Sequence, residues 1–86
     1  MVMPTAVLES LAADLVVDAR GIACPGPLLE AKRSILLVPV GGVLELLSSN
    51  EETSIDVGAW AWKVGHAYLG SIHEAGVWRI FVRRNK

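Results

Sequence analysis

Three features of this 86-residue chain predict an α/β fold, a two-layer α+β sandwich of order β-α-β-α-β-β. Short apolar runs bounded by turn residues alternate twice with amphipathic helical stretches, the pattern of two strand–helix–strand units with parallel pairing and right-handed crossovers. A Glu74-Ala75-Gly76 turn then joins the last two runs as an antiparallel hairpin. Hydrophobic residues make up 52% of the chain and charged ones 20%, enough for one packed core and too apolar for disorder. The expected result is a four-stranded mixed sheet with two helices packed on one face.

Residues 1–13 have no clear period and read as an N-terminal arm with one helical turn at Leu8–Ala12; residues 14–86 read as a single domain. Leu15 to Ala19 is a short strand ended by Arg20-Gly21. After Cys24-Pro25-Gly26-Pro27, Leu28, Ala31 and Ile35 repeat at helical spacing, Leu29 and Leu36 widen the stripe, and Pro39 stops the helix. Gly41-Gly42 turns the chain into a strand at Val43–Ser48, and Glu51-Glu52 reads as a loop. Thr53 with Asp56 three residues on resembles a capping box, opening a helix whose stripe is Val57, Trp60, Ala61, Val64 and Tyr68 and whose end lies near Gly65. Ala67–His73 and Val77–Arg83 complete the sheet.

Period-2 alternation assigns the faces. Leu15, Val17, Ala19, Leu44, Leu46, Trp78, Ile80 and Val82 point at the helices. Val16, Asp18, Val43, Glu45, Leu47, Arg79, Phe81 and Arg83 form a mixed opposite face, as a solvated surface or a dimer contact would be.

Composition also excludes classes of function. A net charge of −1 argues against a general nucleic-acid binder. No apolar run approaches the roughly 18 residues of a membrane helix, and the N-terminus, with no basic residue before Arg20 and with Glu9 and Asp14 breaking its apolar stretch, does not read as a signal peptide. One cysteine makes no internal disulfide and alone holds no structural zinc, so no metal is expected and a reducing, cytoplasmic setting is.

Cys24 is the residue whose position asks for chemistry. The reading places it at the helix N-cap, Pro25 at N1 and Pro27 at N3, with the N–H groups of Gly26 and Leu28 facing the sulfur. A helix N-terminus favours a thiolate by about 0.3–2 kcal/mol. Taken as roughly one pKa unit, this brings a thiol pKa from near 8.5 to about 7–7.5, half ionised at neutral pH and still nucleophilic. Arg20, four residues back, is a candidate positive charge near the sulfur. The bland alternative is a buried cysteine that only packs.

The run Asp18-Ala19-Arg20-Gly21-Ile22-Ala23-Cys24-Pro25-Gly26-Pro27-Leu28 resembles the signature of the TusA/SirA/YedF family of sulfur-carrier proteins, whose core is Cys-Pro-x-Pro at a helix N-terminus. Pro39-Val40-Gly41-Gly42, Thr53 to Trp60, Gly65-His66 and Trp78 to Arg83 match further family segments in order, so the resemblance covers Leu15 to Arg84. It implies the same sandwich, with Cys24 holding sulfane sulfur as a persulfide and passing it to a partner cysteine in a sulfur-relay or sulfur-oxidation pathway. The implied partners are a sulfur donor (a desulfurase, a rhodanese or a DsrE-type protein) and an acceptor protein. The implied activity is that of a sulfurtransferase-type carrier, not a stand-alone multi-turnover enzyme, with no cofactor beyond the covalent persulfide. One departure is Gly58, where many members carry proline in an Asp-x-Pro segment; it touches the start of the second helix and the partner contacts near Asp56.

Having no second cysteine suits a carrier, because a nearby thiol would resolve the persulfide into a disulfide and expel sulfide. Trp62, off the apolar stripe, together with Asp56 and Lys32, is a candidate partner contact, and Lys32 and Arg33 either flank the Cys24 surface or face water. Trp60 reads as core. His66 reads as structural, near a helix C-terminus where a partly positive ring is favoured, and Arg79, Arg83, Arg84 and Lys86 read as a solvated strand face. No membrane or nucleic-acid partner is expected, and the chain is expected to be a monomer or weak dimer. Two other readings stay open: a thiol redox or regulatory module that stores no sulfur, and a binding module in which Cys24 only packs.

Overall fold

The computed structural model describes residues 3–23 and 25–86. The elements run α1 (Thr5–Ser10), β1 (Leu15–Asp18), α2 (Gly26–Ser34), a 3-10 turn (Ile35–Leu37), β2 (Val43–Ser48), α3 (Glu51–Val64), β3 (Ala67–Glu74) and β4 (Val77–Arg83). The sheet order is β1-β2-β4-β3, with β1 and β2 parallel and the other pairs antiparallel. This is the expected mixed sheet, and the hairpin loop tightens to Ala75-Gly76, both at positive φ, the geometry that matches the twist of a two-residue hairpin.

The helix-side core contains all eight strand residues assigned to it. Ala19, Leu44, Leu46, Ile80 and Val82 are buried with Ala31, Ile35, Val38, Val57 and Ala61, while Leu15, Val17 and Trp78 pack at the margin beside Leu28, Trp60 and Tyr68. Leu29 and Leu36, expected to widen the α2 stripe, are exposed instead. One sheet face covers only the side carrying Pro27, Ala31 and Ser34, and the 3-10 turn leaves Leu36 and Leu37 outward.

The opposite face is mixed, as expected, but part of it is covered by the chain's own N-terminal segment, where a solvated surface or a dimer contact was expected. Residues 3–13 lie across it, and α1 spans Thr5–Ser10, earlier than the expected turn at Leu8–Ala12. Leu8 is 1% exposed and packs with Val43, Leu69, Ile72 and Phe81. The Met3 N–H also bonds to the Leu69 carbonyl at 2.6 Å. Six helical residues with a single buried leucine give too little periodicity to be seen in sequence. Beside α1, Arg79 pairs with Glu45 at 3.1 Å and Glu74 at 3.0 Å and lies over the Phe81 ring, so this basic residue is part of the face's structure.

α3 begins three residues earlier than expected, with its cap at Asn50 and not at Thr53. Asn50, extended at φ −119 and ψ 131, is the N-cap, and Glu51 and Glu52 form the first turn, where carboxylates meet the positive helix end. Thr53 is therefore not the cap of a capping box: it is buried, with its hydroxyl accepting from Ser48 Oγ at 2.8 Å. Val64 of the expected stripe is exposed and Tyr68 lies in β3. Gly65, at φ +89, closes α3, and the His66 N–H reaches back to the Ala61 carbonyl at 2.8 Å. Among the described residues, no helix is long and apolar enough to cross a membrane.

Candidate functional site

α2 and α3 each follow the carboxyl end of a parallel strand, so both start at the same end of the sheet, where α/β folds place their sites. The loop from β1 to α2 is fixed by successive hydrogen bonds. The Ala19 N–H continues the ladder to the Leu47 carbonyl at 2.9 Å, and the Ile22 N–H bonds to the Ala19 carbonyl at 3.3 Å. The Gly21 N–H reaches Ser49 Oγ at 3.2 Å, tying this loop to the one before α3. Gly21 stands at φ +79, a left-handed conformation that glycine adopts without penalty.

Asp18 and Arg20 close the loop's base. Arg20 Nε and Nη2 donate to the two Asp18 carboxylate oxygens at 2.8 and 2.7 Å, and the Arg20 backbone N–H adds a third bond at 3.1 Å. These hydrogen bonds from the guanidinium and the backbone lower the Asp18 pKa to about 2, and the Arg20 pKa is raised in turn. The guanidinium expected near the sulfur is thus committed to Asp18, because a two-residue spacing lets a carboxylate bond to both the backbone and the side chain of Arg20.

Cys24 lies outside the described residues. Its neighbours correct the expected register by one position. Pro25 is the N-cap, at φ −96 and ψ 20, with Gly26 at N1 and Pro27 at N2. The reason is a turn ahead of the helix: the Gly26 N–H donates to the Ala23 carbonyl at 2.8 Å, so helical dihedrals begin only at Gly26. That bond also occupies the Gly26 donor expected to face the sulfur. Pro25 is exposed, Pro27 buried and Leu28 packed against the helix-side core. A Cβ on Gly26 would collide with the Ile22 side chain, so this glycine lets the loop fold close over the helix start.

The remaining candidates are spread over the helix face. Lys32 is exposed on α2, where Arg33 pairs with Glu30. Asp56 is half-buried on α3, and Trp62 is 85% exposed near its far end. His66 stands away from this end of the sheet. Its Nδ1 accepts the Asn85 N–H at 3.2 Å and its ring meets Trp60 edge-on. Burial, then Arg84 and Lys86, push its pKa down, so the expected partly positive ring is disfavoured. Arg84 holds the Leu36 and Val38 carbonyls at 3.3 and 2.8 Å, a structural use of the C-terminal basic run. His73 stacks on Trp78 with centroids 4.1 Å apart. Sequence reasoning did not single out Ser49 or the pairing of Asp18 with Arg20; the Asp-x-Arg spacing was the available signal for the second. Among the described residues, no group of three or more His, Cys, Asp or Glu side chains is arranged to hold a metal.

A family model described as Sulfurtransferase TusA matches residues 15–84. An Archaeoglobus fulgidus protein named "Putative sulfur carrier protein" is 44% identical over 72 residues, 84% of this chain and 99% of its own length. The Pseudomonas entomophila sulfur carrier protein TusA is 29% identical over 77 residues, 90% of this chain and 96% of its own. The crystal structure of a SirA-like protein from Desulfitobacterium hafniense superimposes with a TM-score of 0.74 at 23% identity, covering 84% of this chain and 99% of that one, a likeness of fold. With its strand order, its loop at the ends of the parallel strands and a match running through both helices, the chain belongs to the TusA sulfurtransferase family.

Proposed function

We propose that this protein is a sulfur carrier in which Cys24 accepts sulfane sulfur as a persulfide and delivers it to a cysteine of a partner protein. The observation that carries the reading is the position of the chain's one cysteine. In the sequence it immediately precedes Pro25, the N-cap of α2, within the stretch matched to the family. The first turn of α2 contains no acidic residue, which keeps a carboxylate from opposing a thiolate there.

The exchange needs no external oxidant or reductant. The Cys24 thiolate attacks the outer sulfur of a donor persulfide; the new S–S bond forms as the donor's breaks, and the donor cysteine leaves as thiolate. An acceptor thiolate then attacks the outer sulfur on Cys24, which departs as thiolate ready for another cycle. The absence of a second cysteine keeps the loaded form from closing into an internal disulfide. Pro25, Gly26, Pro27 and Leu28 shape the helix start, and the Asp18–Arg20 pair fixes the loop leading to it. The donor is a desulfurase, a rhodanese or a DsrE-type protein, docking with the acceptor around this loop, with Lys32 and Asp56 as candidate contacts. The setting is a reducing cytoplasm.

Intact mass spectrometry after incubation with a sulfane donor tests the reading. The expected result is a gain of one sulfur atom, reversed by a thiol reductant and absent in Cys24→Ser. No gain from chemical and enzymatic donors, or an equal gain in Cys24→Ser, overturns it. Gain of oxygen without sulfur would favour a redox module instead.

A further inference from the structure

The outer face of α3 is apolar in the middle and oppositely charged at its two ends. Ile55, Ala59 and Trp62 follow at i, i+4 and i+7, a single helical stripe, and all three are exposed, Ile55 at 65% and Trp62 at 85%. They lie opposite the buried side of the helix, formed by Ser54, Val57 and Ala61. Exposed Glu51 and Glu52 stand at the N-terminal end and exposed Lys63 in the last turn. From Glu52 to Lys63 the axis rises about 16 Å. Such a surface is complementary to itself run backwards.

We propose that two copies of the chain associate through this face as a two-fold, antiparallel pair of α3 helices. Ile55, Ala59 and Trp62 form the centre, and the Glu51–Glu52 end of each helix meets Lys63 of the other. A two-fold contact uses the same patch on both copies, which is what a stripe with opposite charges at its ends supplies. Antiparallel alignment also sets the positive end of each helix dipole beside the negative end of its neighbour. On the other sheet face α1 packs Leu8 against Val43, Leu69, Ile72 and Phe81. A contact made by one helix is small, so the association is weak, with Kd about 0.1–1 mM. The proposal goes beyond the sulfur-carrier reading and is measured with no sulfane donor present and with Cys24 kept reduced, so neither depends on the other's outcome.

Sedimentation equilibrium of the full chain at concentrations from ~10 μM to ~2 mM tests it across the expected Kd range. The expected mass climbs from one chain toward two. Trp62→Ala weakens association at least tenfold without unfolding, given the exposure of that side chain. Lys63→Glu also weakens it, and adding Glu51→Lys and Glu52→Lys to Lys63→Glu restores it toward the wild-type value. A wild-type chain that stays monomeric throughout, a dimer indifferent to Trp62→Ala, or a charge swap that fails to restore association overturns the proposal.

Discussion

α2 and α3 start at the same end of the sheet, each after a parallel strand, and their first turns are built in opposite ways. α3 opens with an extended Asn50, two carboxylates at Glu51 and Glu52, and a buried Ser48–Thr53 hydroxyl pair beneath them. Its positive end is committed to the protein's own folding. α2 opens with Pro25 as N-cap, Pro27 at N2 and no acidic residue in its first turn. Proline supplies helical φ while lacking a donor, which costs little in a turn where donors have no intrahelical acceptor. The comparison teaches that one position in a strand–helix unit can serve stability or be withheld from it. In this protein the withheld one follows the only cysteine.

The largest effect that would sharpen the contrast belongs to the α3 start. Thr53→Val removes one member of a buried hydroxyl pair and should destabilise the protein by about 1–3 kcal/mol in urea unfolding. A loss under about 0.5 kcal/mol would show that the pair does not anchor the helix. The interior of α3 should move the other way. A Cβ on Gly58 would meet the Tyr68 ring at 3.7 Å, ordinary contact distance, so Gly58→Ala should stabilise by about 0.5–1 kcal/mol. A smaller pair of changes exchanges the characters of the two helix starts. Glu51→Gln and Glu52→Gln should each cost about 0.3–1 kcal/mol and leave the pH profile of Cys24 alkylation unchanged. Leu29→Glu, at an exposed site one turn into α2, should instead raise the thiol pKa by about 0.2–0.7 units, seen as a shift of that profile to higher pH. An unshifted profile would remove the α2 N-terminus from the account of the thiol.

Legibility in the sequence followed the length of the pattern. β2 and β4 alternate over six and seven residues, and every side chain assigned to the helix-side core is there. α1 was not legible as a cover for the other face, because Leu8 is its single buried residue and its partners, Val43, Leu69, Ile72 and Phe81, come from three distant strands. The helix starts were legible in kind and displaced in register. A Thr-x-x-Asp spacing imitates a cap, yet the Thr53 hydroxyl is taken by Ser48. The Cys-Pro-x-Pro run marks a helix start, yet the Ala23–Gly26 turn shifts its first residue by one. The cysteine, and the strand–helix setting that gives it meaning, were plain in the sequence. The commitment of Arg20 to Asp18 was not, because spacing alone does not say which of several neighbours a long cation will meet.

The smallest expected effect separates the two loops by pH. The α2 loop is held by an ion pair through a titratable group, Asp18, whereas the buried anchor beneath the α3 start is a pair of hydroxyls. Hydrogen bonds from the Arg20 side chain and backbone lower the Asp18 pKa from 3.8 to about 2 in the folded protein. Because the folded value lies below the unfolded one, the unfolded chain binds more protons between them. The contribution is therefore fully present above pH 3.8 and is lost as pH falls through about 2. Solvent exposure of the pair keeps the effect small. His66 has the same sign in a different window. Its folded pKa lies below 6.5, so its contribution is present above that value and declines on acidification through the lowered one. Urea unfolding at closely spaced pH values should show Asp18→Asn flattening only the limb between pH 3.8 and about 2, with the decline below 6.5 retained. An unchanged acid limb in Asp18→Asn would mean that the ion pair does not hold the α2 loop, and the stabilising work there would fall to the Gly21–Ser49 bond and the Ala23–Gly26 turn.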